Sequence, residues 1–321
     1  MPTPAEICLS SQQAHSALRP QVKVTPFDRS HALSTLYGCD LLLKSEHLQH
    51  TGSFKFRGAS NKMRLLNAAQ CQQGVITASS GNHGQGMALA GAMAGVPVTV
   101  YAAASASPLK LAAIHAYGAN VVTLEKDALS VELEAAATAA REGVSFVSPY
   151  NDADVIAGQG TIALEMLEQE APVDAVFVAV GGGGLISGIG AVMKTLSPTT
   201  RVIGCWPAAS TAMYSSLEAG EIVEPPEQDT LSDGTAGGLE PGTVTFPLCQ
   251  QVIDECVLVS EEEIKSAMKT LAVYERWMVE GAAGVAMAAF IQQAEQWRGK
   301  RVAVILCGRN ITLEKFTGAV K

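Results

Sequence analysis

Residues 175–196 read AVFVAVGGGGLISGIGAVMKTL, an apolar run followed by four glycines and then by small and aliphatic residues. The run Ala175–Val180 is typical of a strand that is buried on both faces of a parallel sheet. The four glycines mark a turn, and Leu185–Leu196 is predicted to be the helix that follows it. A strand, a turn and a helix in this order form the repeating unit of α/β folds.

The same alternation extends in both directions along the chain and predicts an α/β fold built on parallel strands. The predicted strands are Asp40–Lys44, Val75–Ala78, Pro97–Tyr101, Asn120–Leu124, Ala175–Val180, Arg201–Cys205 and Arg301–Cys307. The predicted helices are Gly84–Gly95, Pro108–Tyr117, Val131–Glu142, Ala157–Glu168, Leu185–Leu196, Ser260–Val279 and Ala282–Trp297. The longest irregular stretch, Glu221–Thr245, is either a functional loop or a surface excursion.

Composition narrows the class of protein. The chain has 321 residues, of which 48% are hydrophobic and 17% charged, and its net charge is −9. This composition excludes a disordered chain, and the acidic balance argues against a nucleic-acid partner. No apolar run is long enough to cross a membrane, and Met1–Leu18 lacks the pattern of a signal peptide. Seven scattered cysteines fit reduced thiols, so we expect a cytoplasmic protein.

The glycines Gly181, Gly182, Gly183 and Gly184 lie where a strand passes into a helix. Backbone amides at such a position can bind a phosphate group, although a tight turn needing one or two glycines is the simpler alternative. A dinucleotide site would require an acidic residue after the next strand, which here ends in Cys205-Trp206. The pattern therefore indicates the phosphate of a mononucleotide-sized cofactor.

A second segment, Thr51–Gly58, places Lys55 between two phenylalanines and close to glycines and hydroxyls. Such surroundings can desolvate an amine, lower its pKa and make it a nucleophile or base at neutral pH. An ordinary solvated lysine is the alternative. Arg57 could lower the pKa of the amine further, or face water.

Two further segments follow predicted strands. Ser79–Gly84 gathers hydroxyls, an amide and a histidine at the start of a helix, which suits a carboxylate or simply caps the helix. Cys307 closes the last strand, where an isolated cysteine is ordinarily a buried apolar residue. Because open parallel sheets bind ligands at the carboxyl ends of their strands, we expect these segments to converge.

Four blocks, Ser53–Ala59, Ser79–Gln85, Gly158–Ala163 and Gly181–Gly184, resemble in order those of the serine/threonine dehydratases and serine racemases. These are fold-type II enzymes that depend on pyridoxal 5′-phosphate. The resemblance implies two open, mostly parallel twisted sheets with flanking helices. It also implies a large domain (1–68 and 147–321), a small mobile domain (69–146) and a homodimer.

The resemblance assigns the cofactor site residue by residue. Lys55 would form the Schiff base with the cofactor and, once substrate displaces it, remove the Cα proton. The glycine run Gly181–Gly184 would hold the phosphate. Asn82 would hydrogen-bond the ring hydroxyl, Phe54 would stack beside the ring, and Cys307 would contact the pyridine nitrogen. A thiol at that nitrogen makes the ring a weaker electron sink than an aspartate would.

The substrate carboxylate would lie against Ser79, Ser80, Asn82 and His83. The implied reaction is loss of water from a small 3-hydroxy amino acid such as serine or threonine, giving a 2-oxo acid and ammonia. Ser80 leaves an alternative open, because the matching serine of racemases resembles a second acid/base that acts with the lysine. An amino-acid racemase using Lys55 and Ser80 as its two bases is therefore the second hypothesis.

The chain departs from the family pattern at three places, one of which is Glu280-Gly281, where relatives tend to have Glu-Pro. Relatives carry acidic metal ligands where this chain has Trp206 and Ala212, so we expect that divalent-cation site to be lost. Arg309 stands where relatives have glycine. It is predicted either to bind an extra anionic group of the substrate or to face solvent.

Overall fold

The computed structural model describes residues 1–321 and contains two sheets flanked by helices. The strands are β1 (Phe27–Arg29), β2 (Asp40–Lys44), β3 (Val75–Ala78), β4 (Val98–Ala103), β5 (Asn120–Leu124), β6 (Ser145–Phe146), β7 (Ala175–Ala179), β8 (Arg201–Pro207), β9 (Glu255–Val259) and β10 (Arg301–Ile305). The larger sheet has the order β1-β2-β10-β7-β8-β9, with only β1 antiparallel to its neighbour. The smaller sheet, β5-β4-β3-β6, is entirely parallel.

Fourteen α-helices connect and cover these strands. They are α1 (Pro4–Leu18), α2 (His31–Tyr37), α3 (Lys55–Leu65), α4 (Ala68–Gln73), α5 (Asn82–Ala94), α6 (Pro108–Ala116), α7 (Ala128–Glu142), α8 (Ala153–Gln169), α9 (Gly184–Leu196), α10 (Ala212–Ala219), α11 (Thr245–Val252), α12 (Glu261–Tyr274), α13 (Gly281–Gln293) and α14 (Leu313–Ala319). None of them is both long and apolar enough to span a membrane. The predicted α/β fold with two mostly parallel sheets is confirmed.

The seven predicted strands are all present, with ends that differ by at most two residues from the prediction. Ser260, which precedes three glutamates in the sequence, caps α12 through a reciprocal pair of hydrogen bonds with Glu263. The prediction was wrong at the end of that helix, which stops at Tyr274 rather than Val279. No helix or strand lies between Ala219 and Thr245, so the predicted irregular stretch is irregular in the structure as well.

Each sheet has its own apolar core. The larger core surrounds β7, β8 and β10 and includes α13, while a second cluster covers one face of the smaller sheet. That second cluster also contains residues of α1 and α3, for example Leu18 and Phe56. The strands of the smaller sheet all fall within residues 69–146, and helices from the N-terminal segment pack against them. The division into a large and a mobile small domain stays a prediction.

Candidate active site

Lys55 is the first residue of α3, immediately after a segment that is tied to the end of β10. Ser53 and Gly308 form an isolated antiparallel bridge, and the Phe54 amide donates to the Cys307 carbonyl at 3.1 Å. Because β10 pairs with β7, the same edge of the larger sheet also carries the glycine turn. The sheet therefore brings Lys55, Cys307 and the glycines to one cavity of about 300 Å³.

The Lys55 amine is partly withdrawn from water. Its Nζ donates to the Pro149 carbonyl at 2.9 Å and lies 5.3 Å from the centre of the Phe54 ring. Burial lowers the pKa of Lys55 to about 8, against the opposing charges of Glu132, Cys307 and Glu280. An amine with this pKa is available in its neutral, nucleophilic form at a much higher fraction than a solvated lysine.

Arg57 does not act on the Lys55 amine, and it does not face water. Its guanidinium is fully buried and pairs with Glu46 at 2.8 Å and with Glu165 at 2.7 Å. Lys44, also fully buried, binds Glu165 at 2.8 Å. The two alternatives considered for Arg57 from the sequence were therefore both wrong. It belongs to a buried ion-pair network that connects α3 to α8 and to the residues that follow β2.

The glycine turn between β7 and α9 lines the cavity, and the surrounding atoms leave no room for side chains at these positions. A Cβ on Gly181 would lie 2.9 Å from the Thr235 Cα, and one on Gly182 would overlap the ring of Tyr150. Gly183 has a φ of +87°, in the left-handed region that favours glycine. The amides of Gly182, Gly183 and Gly184 donate to no protein acceptor. The turn thus provides unpaired donors at a helix N-terminus, which fits a phosphate group.

The segment Ser79–His83 follows β3 of the smaller sheet and forms another wall of the same cavity. Ser79, Ser80, Asn82 and His83 all line it. The Ser79 hydroxyl accepts from the Gly81 amide at 3.1 Å, but Gly81 itself is the N-cap of α5 and no side chain caps that helix, so the capping alternative was wrong. His83 is only 2% exposed, and burial, reinforced by the charge of Lys55, lowers its pKa to about 3. Its imidazole is therefore neutral and can donate or accept a hydrogen bond.

Glu280 is a site residue that the sequence did not single out as functional. It is 4% exposed, accepts from Asn82 Nδ2 at 2.7 Å and from the Asn310 amide at 2.9 Å, and lines the cavity. Burial, reinforced by the charge of Asp233, raises the pKa of Glu280 to about 7. Asn310 Nδ2 also donates to Asn82 Oδ1 at 2.5 Å. Asn82, which is expected to face the hydroxyl of the cofactor ring, is thus oriented by Glu280 and Asn310.

The irregular stretch after α10 is part of the site. Asp233, Gly234, Thr235, Ala236, Gly237 and Gly238 all line the cavity. The Tyr150 hydroxyl accepts from the Glu240 amide at 2.8 Å, and so holds this stretch beside the ring that covers Gly182. Asp233 pairs with Lys110 of α6 at 2.5 Å. Only the length of the stretch and its glycines indicated a function in the sequence.

Arg309, Trp206 and Ala212, where the chain departs from the family pattern, lie away from this cavity. Arg309 is exposed and does not line it, so the structure supports the solvent-facing alternative. Trp206 is 1% exposed and packs against Tyr214, with its ring beside Gly204. Ala212 begins α10. The expected loss of a divalent-cation site stays a prediction.

Comparison with known proteins decides the family. The model of the family described as "Pyridoxal-phosphate dependent enzyme" matches residues 18–308. The chain belongs to this family. Among its relatives, an L-threonine ammonia-lyase of Geobacter sulfurreducens is 40% identical over 97% of this chain and 77% of its own length. A beta-hydroxyaspartate dehydratase of Paracoccus denitrificans is 37% identical over 94% of this chain and 96% of its own length.

Solved structures agree with this family membership. A processed threonine deaminase isoform 2 of Solanum lycopersicum matches with a TM-score of 0.91 and 32% identity, covering 97% of this chain and 92% of that one. The maize serine racemase matches with a TM-score of 0.90 and 30% identity, covering 97% and 96%. The cofactor is pyridoxal 5′-phosphate. An amine of lowered pKa, unpaired amides at a helix N-terminus and a buried thiol, all in one cavity, fit it.

Proposed function

We propose that the protein removes water from a small 3-hydroxy amino acid and releases a 2-oxo acid and ammonia. The observation that carries the proposal is the convergence of Lys55, of pKa about 8, with the glycine turn and Ser79–His83 in one cavity. The dehydratase and ammonia-lyase names of relatives at 36–40% identity support the same reaction.

In this reaction the bound cofactor supplies an electron sink for the carbanion that forms at Cα. Lys55 is the proposed point of covalent attachment, with Phe54 beside the ring and the amides of Gly181–Gly184 on the phosphate. Burial raises the pKa of Cys307 well above that of a free thiol. The thiol therefore stays neutral, and it can share a hydrogen bond with the ring nitrogen without enforcing a positive charge there.

The residues of the chain then handle the substrate. Ser79, Ser80, Asn82 and His83 are proposed to bind its carboxylate and orient the Cα–H bond. Once substrate has taken its place, the neutral Lys55 amine removes the Cα proton. The Cβ–O bond then breaks, and the leaving hydroxyl departs as water with the proton that Lys55 removed from Cα. The enamine product, once released, hydrolyses to the 2-oxo acid and ammonia.

Racemisation is the second candidate, and the position of Ser80 favours it. Ser80 lines the same cavity as Lys55, so two residues whose side chains can exchange a proton are present there. Two side chains that can give up and accept a proton in a shared cavity can serve as a pair of acid and base. The maize and Dictyostelium discoideum relatives of known structure are serine racemases at 30% and 34% identity.

Three features of the working enzyme belong to the same proposal. Residues 69–146 form a mobile small domain that closes over the substrate and excludes water, while residues 1–68 and 147–321 hold the cofactor. The Lys110–Asp233 ion pair joins these two parts across the cavity and would hold them together on closure. We also propose that the protein is cytoplasmic and acts as a homodimer.

The test replaces Lys55 with alanine and compares it with Lys62→Ala, a change further along the same helix and outside the cavity. The unchanged enzyme and Lys62→Ala should show a visible cofactor absorption band and form 2-oxo acid from serine, threonine or 3-hydroxyaspartate. Lys55→Ala should lose both. An unchanged band in Lys55→Ala would refute the attachment site. Inverted enantiomer without 2-oxo acid would favour the racemase.

A further inference from the structure

Two carboxyl groups meet at the wall of the active-site cavity. Glu132 of α7 lines the cavity, and its Oε1 lies 3.2 Å from the Ser148 hydroxyl. The same hydroxyl lies 3.0 Å from Oε1 of Glu240, which belongs to the irregular stretch after α10. The other oxygen of Glu240 accepts from Asn151 Nδ2 at 2.9 Å. Ser148 and Asn151 therefore hold Glu240 in place behind Glu132.

This pair has no cation of its own. Neither carboxyl takes part in any ion pair of the structure. Burial, the contact with Glu240 and its charge raise the pKa of Glu132 to about 8. The nearby titratable groups are Lys55 and Tyr150, and the charge of Glu132 raises the pKa of both. Because burial and a neighbouring carboxyl disfavour its charged form, Glu132 retains its proton at neutral pH.

The cavity also contains a buried histidine whose ring nitrogens are not hydrogen-bonded. His83 is 2% exposed and lines the cavity, yet neither of its ring nitrogens has a hydrogen-bond partner. The Val147 carbonyl, one residue before Ser148, is close enough to raise its pKa against the effect of burial. This neutral imidazole therefore lies near the residue that joins the two carboxyls. Buried polar groups without partners in a binding cavity are expected to be satisfied by ligand.

We propose that the preferred substrate is a 3-hydroxy amino acid whose side chain ends in a protonated amine, and that Glu132, supported by Glu240, binds this amine. The proposal rests on the proposed dehydratase function and names the class of substrate for it. An ammonium group would favour the charged form of Glu132 and displace its proton, so that the two groups form an ion pair. A charge-assisted hydrogen bond in a partly buried site is strong enough to select a substrate.

The charges elsewhere in the cavity disfavour the opposite choice, a substrate with a second carboxylate. Lys110, the other lysine that lines the cavity, is already paired with Asp233. Arg309 is exposed and lies outside it. With Lys55 committed to the cofactor and the Cα proton, and Lys110 paired with Asp233, a distal carboxylate would meet Glu132 without a free cation to compensate, and like charges in contact repel.

Three substrates that differ only beyond Cβ test the proposal on the holoenzyme: threonine, 4-aminothreonine and 3-hydroxyaspartate. We expect kcat/KM for 2-oxo acid formation to be roughly tenfold or more higher for 4-aminothreonine than for threonine, and lowest for 3-hydroxyaspartate. Glu132→Gln should reduce the ratio of 4-aminothreonine to threonine by about tenfold or more. The control Glu134→Gln, on the same helix but outside the cavity and paired with Lys126, should leave this ratio unchanged.

A binding measurement separates this proposal from the proposed reaction, because it needs no turnover. The amino acids 2,4-diaminobutyrate and 2-aminobutyrate lack the hydroxyl group, so neither can lose water. We expect the diamino compound to perturb the cofactor absorption band at a concentration at least about tenfold lower, and this advantage to disappear in Glu132→Gln. Equal affinities, or a preference for 3-hydroxyaspartate, would overturn the proposal. Preferential binding of the diamino compound without 2-oxo acid from any substrate would instead overturn the dehydratase function.

Discussion

Replacing Arg57 with methionine would remove the centre of the buried network beneath the active-site lysine. Arg57 and its partners Glu46 and Glu165 are completely buried, and Lys44 is the only other cation among them. Without Arg57, two buried carboxylates would share one ammonium. Loss of one partner of a buried ion pair costs roughly 3–5 kcal/mol, because the other partner keeps its desolvation penalty. We expect the free energy of unfolding to fall by about this amount.

A second variant identifies the cause of that loss. In Arg57→Met/Glu46→Gln, the only remaining carboxylate of the network is Glu165, which still binds Lys44 at 2.8 Å. The charges then balance, so the double variant should be more stable than Arg57→Met by about 1 kcal/mol or more. A lost packing contact would not be recovered in this way, since glutamine and glutamate have nearly the same shape.

Denaturant unfolding followed by circular dichroism measures both variants, with the apparent Tm as a second reading. A loss near 3 kcal/mol should lower Tm by roughly 5 °C or more. The visible cofactor band shows whether α3 still presents Lys55. An Arg57→Met variant that loses less than about 1 kcal/mol, or a double variant no more stable than the single one, would refute the assigned role of the network.

Two further predictions concern the cavity. Gly182→Ala places a methyl group against the Tyr150 ring, so the dissociation constant for pyridoxal phosphate should rise by about tenfold or more. The control Gly318→Ala, in open space on α14, should leave this constant unchanged. Equal affinities in a fluorescence titration would contradict this. Burial raises the pKa of Glu280 to about 7, above its value in the unfolded chain. The protonated form of Glu280 therefore stabilises the folded protein at low pH, and this contribution is lost as the pH rises through about 7. The stability of the unchanged protein should therefore decline between pH 5 and 8 by about 3 kcal/mol more than that of Glu280→Gln. Parallel pH profiles in denaturant unfolding would exclude this role.

The elements that the sequence missed have a common physical basis. The buried face of α3 carries Arg57, Ser60 and Asn61 beside Phe56, Ala59 and Met63, so polar side chains interrupt its apolar stripe. In α1 the buried positions include Cys8, Ser11 and Ala14, which are small or weakly polar. The strands β1 and β6 are only three and two residues long, too short for a period to be visible. A pattern search detects apolar stripes, and these segments bury polar or small side chains instead.

The site was predictable where function depends on a local feature. Three such features can each be recognised within a few neighbouring residues. They are a glycine run between a strand and a helix, a lysine between two phenylalanines, and a group of hydroxyl-bearing residues after a strand. Their convergence also followed from the rule that parallel strands present their carboxyl ends at one edge. Glu280, Tyr150 and Glu240 were not predicted to have functions, because their surroundings in the sequence are unremarkable for a glutamate or a tyrosine.

The sequence by itself determined the local units, namely strands of the α/β fold, their glycine turns and the residues at the strand ends. The tertiary structure decided which charges meet. Asn82 and Glu280 are 198 residues apart and form a 2.7 Å hydrogen bond. Ser148 joins Glu132 and Glu240, and Arg57 is buried between two glutamates rather than facing water. Backbone preferences and apolar periods act over a few residues, whereas the burial and pairing of a charge depend on which distant segments the strand order brings together.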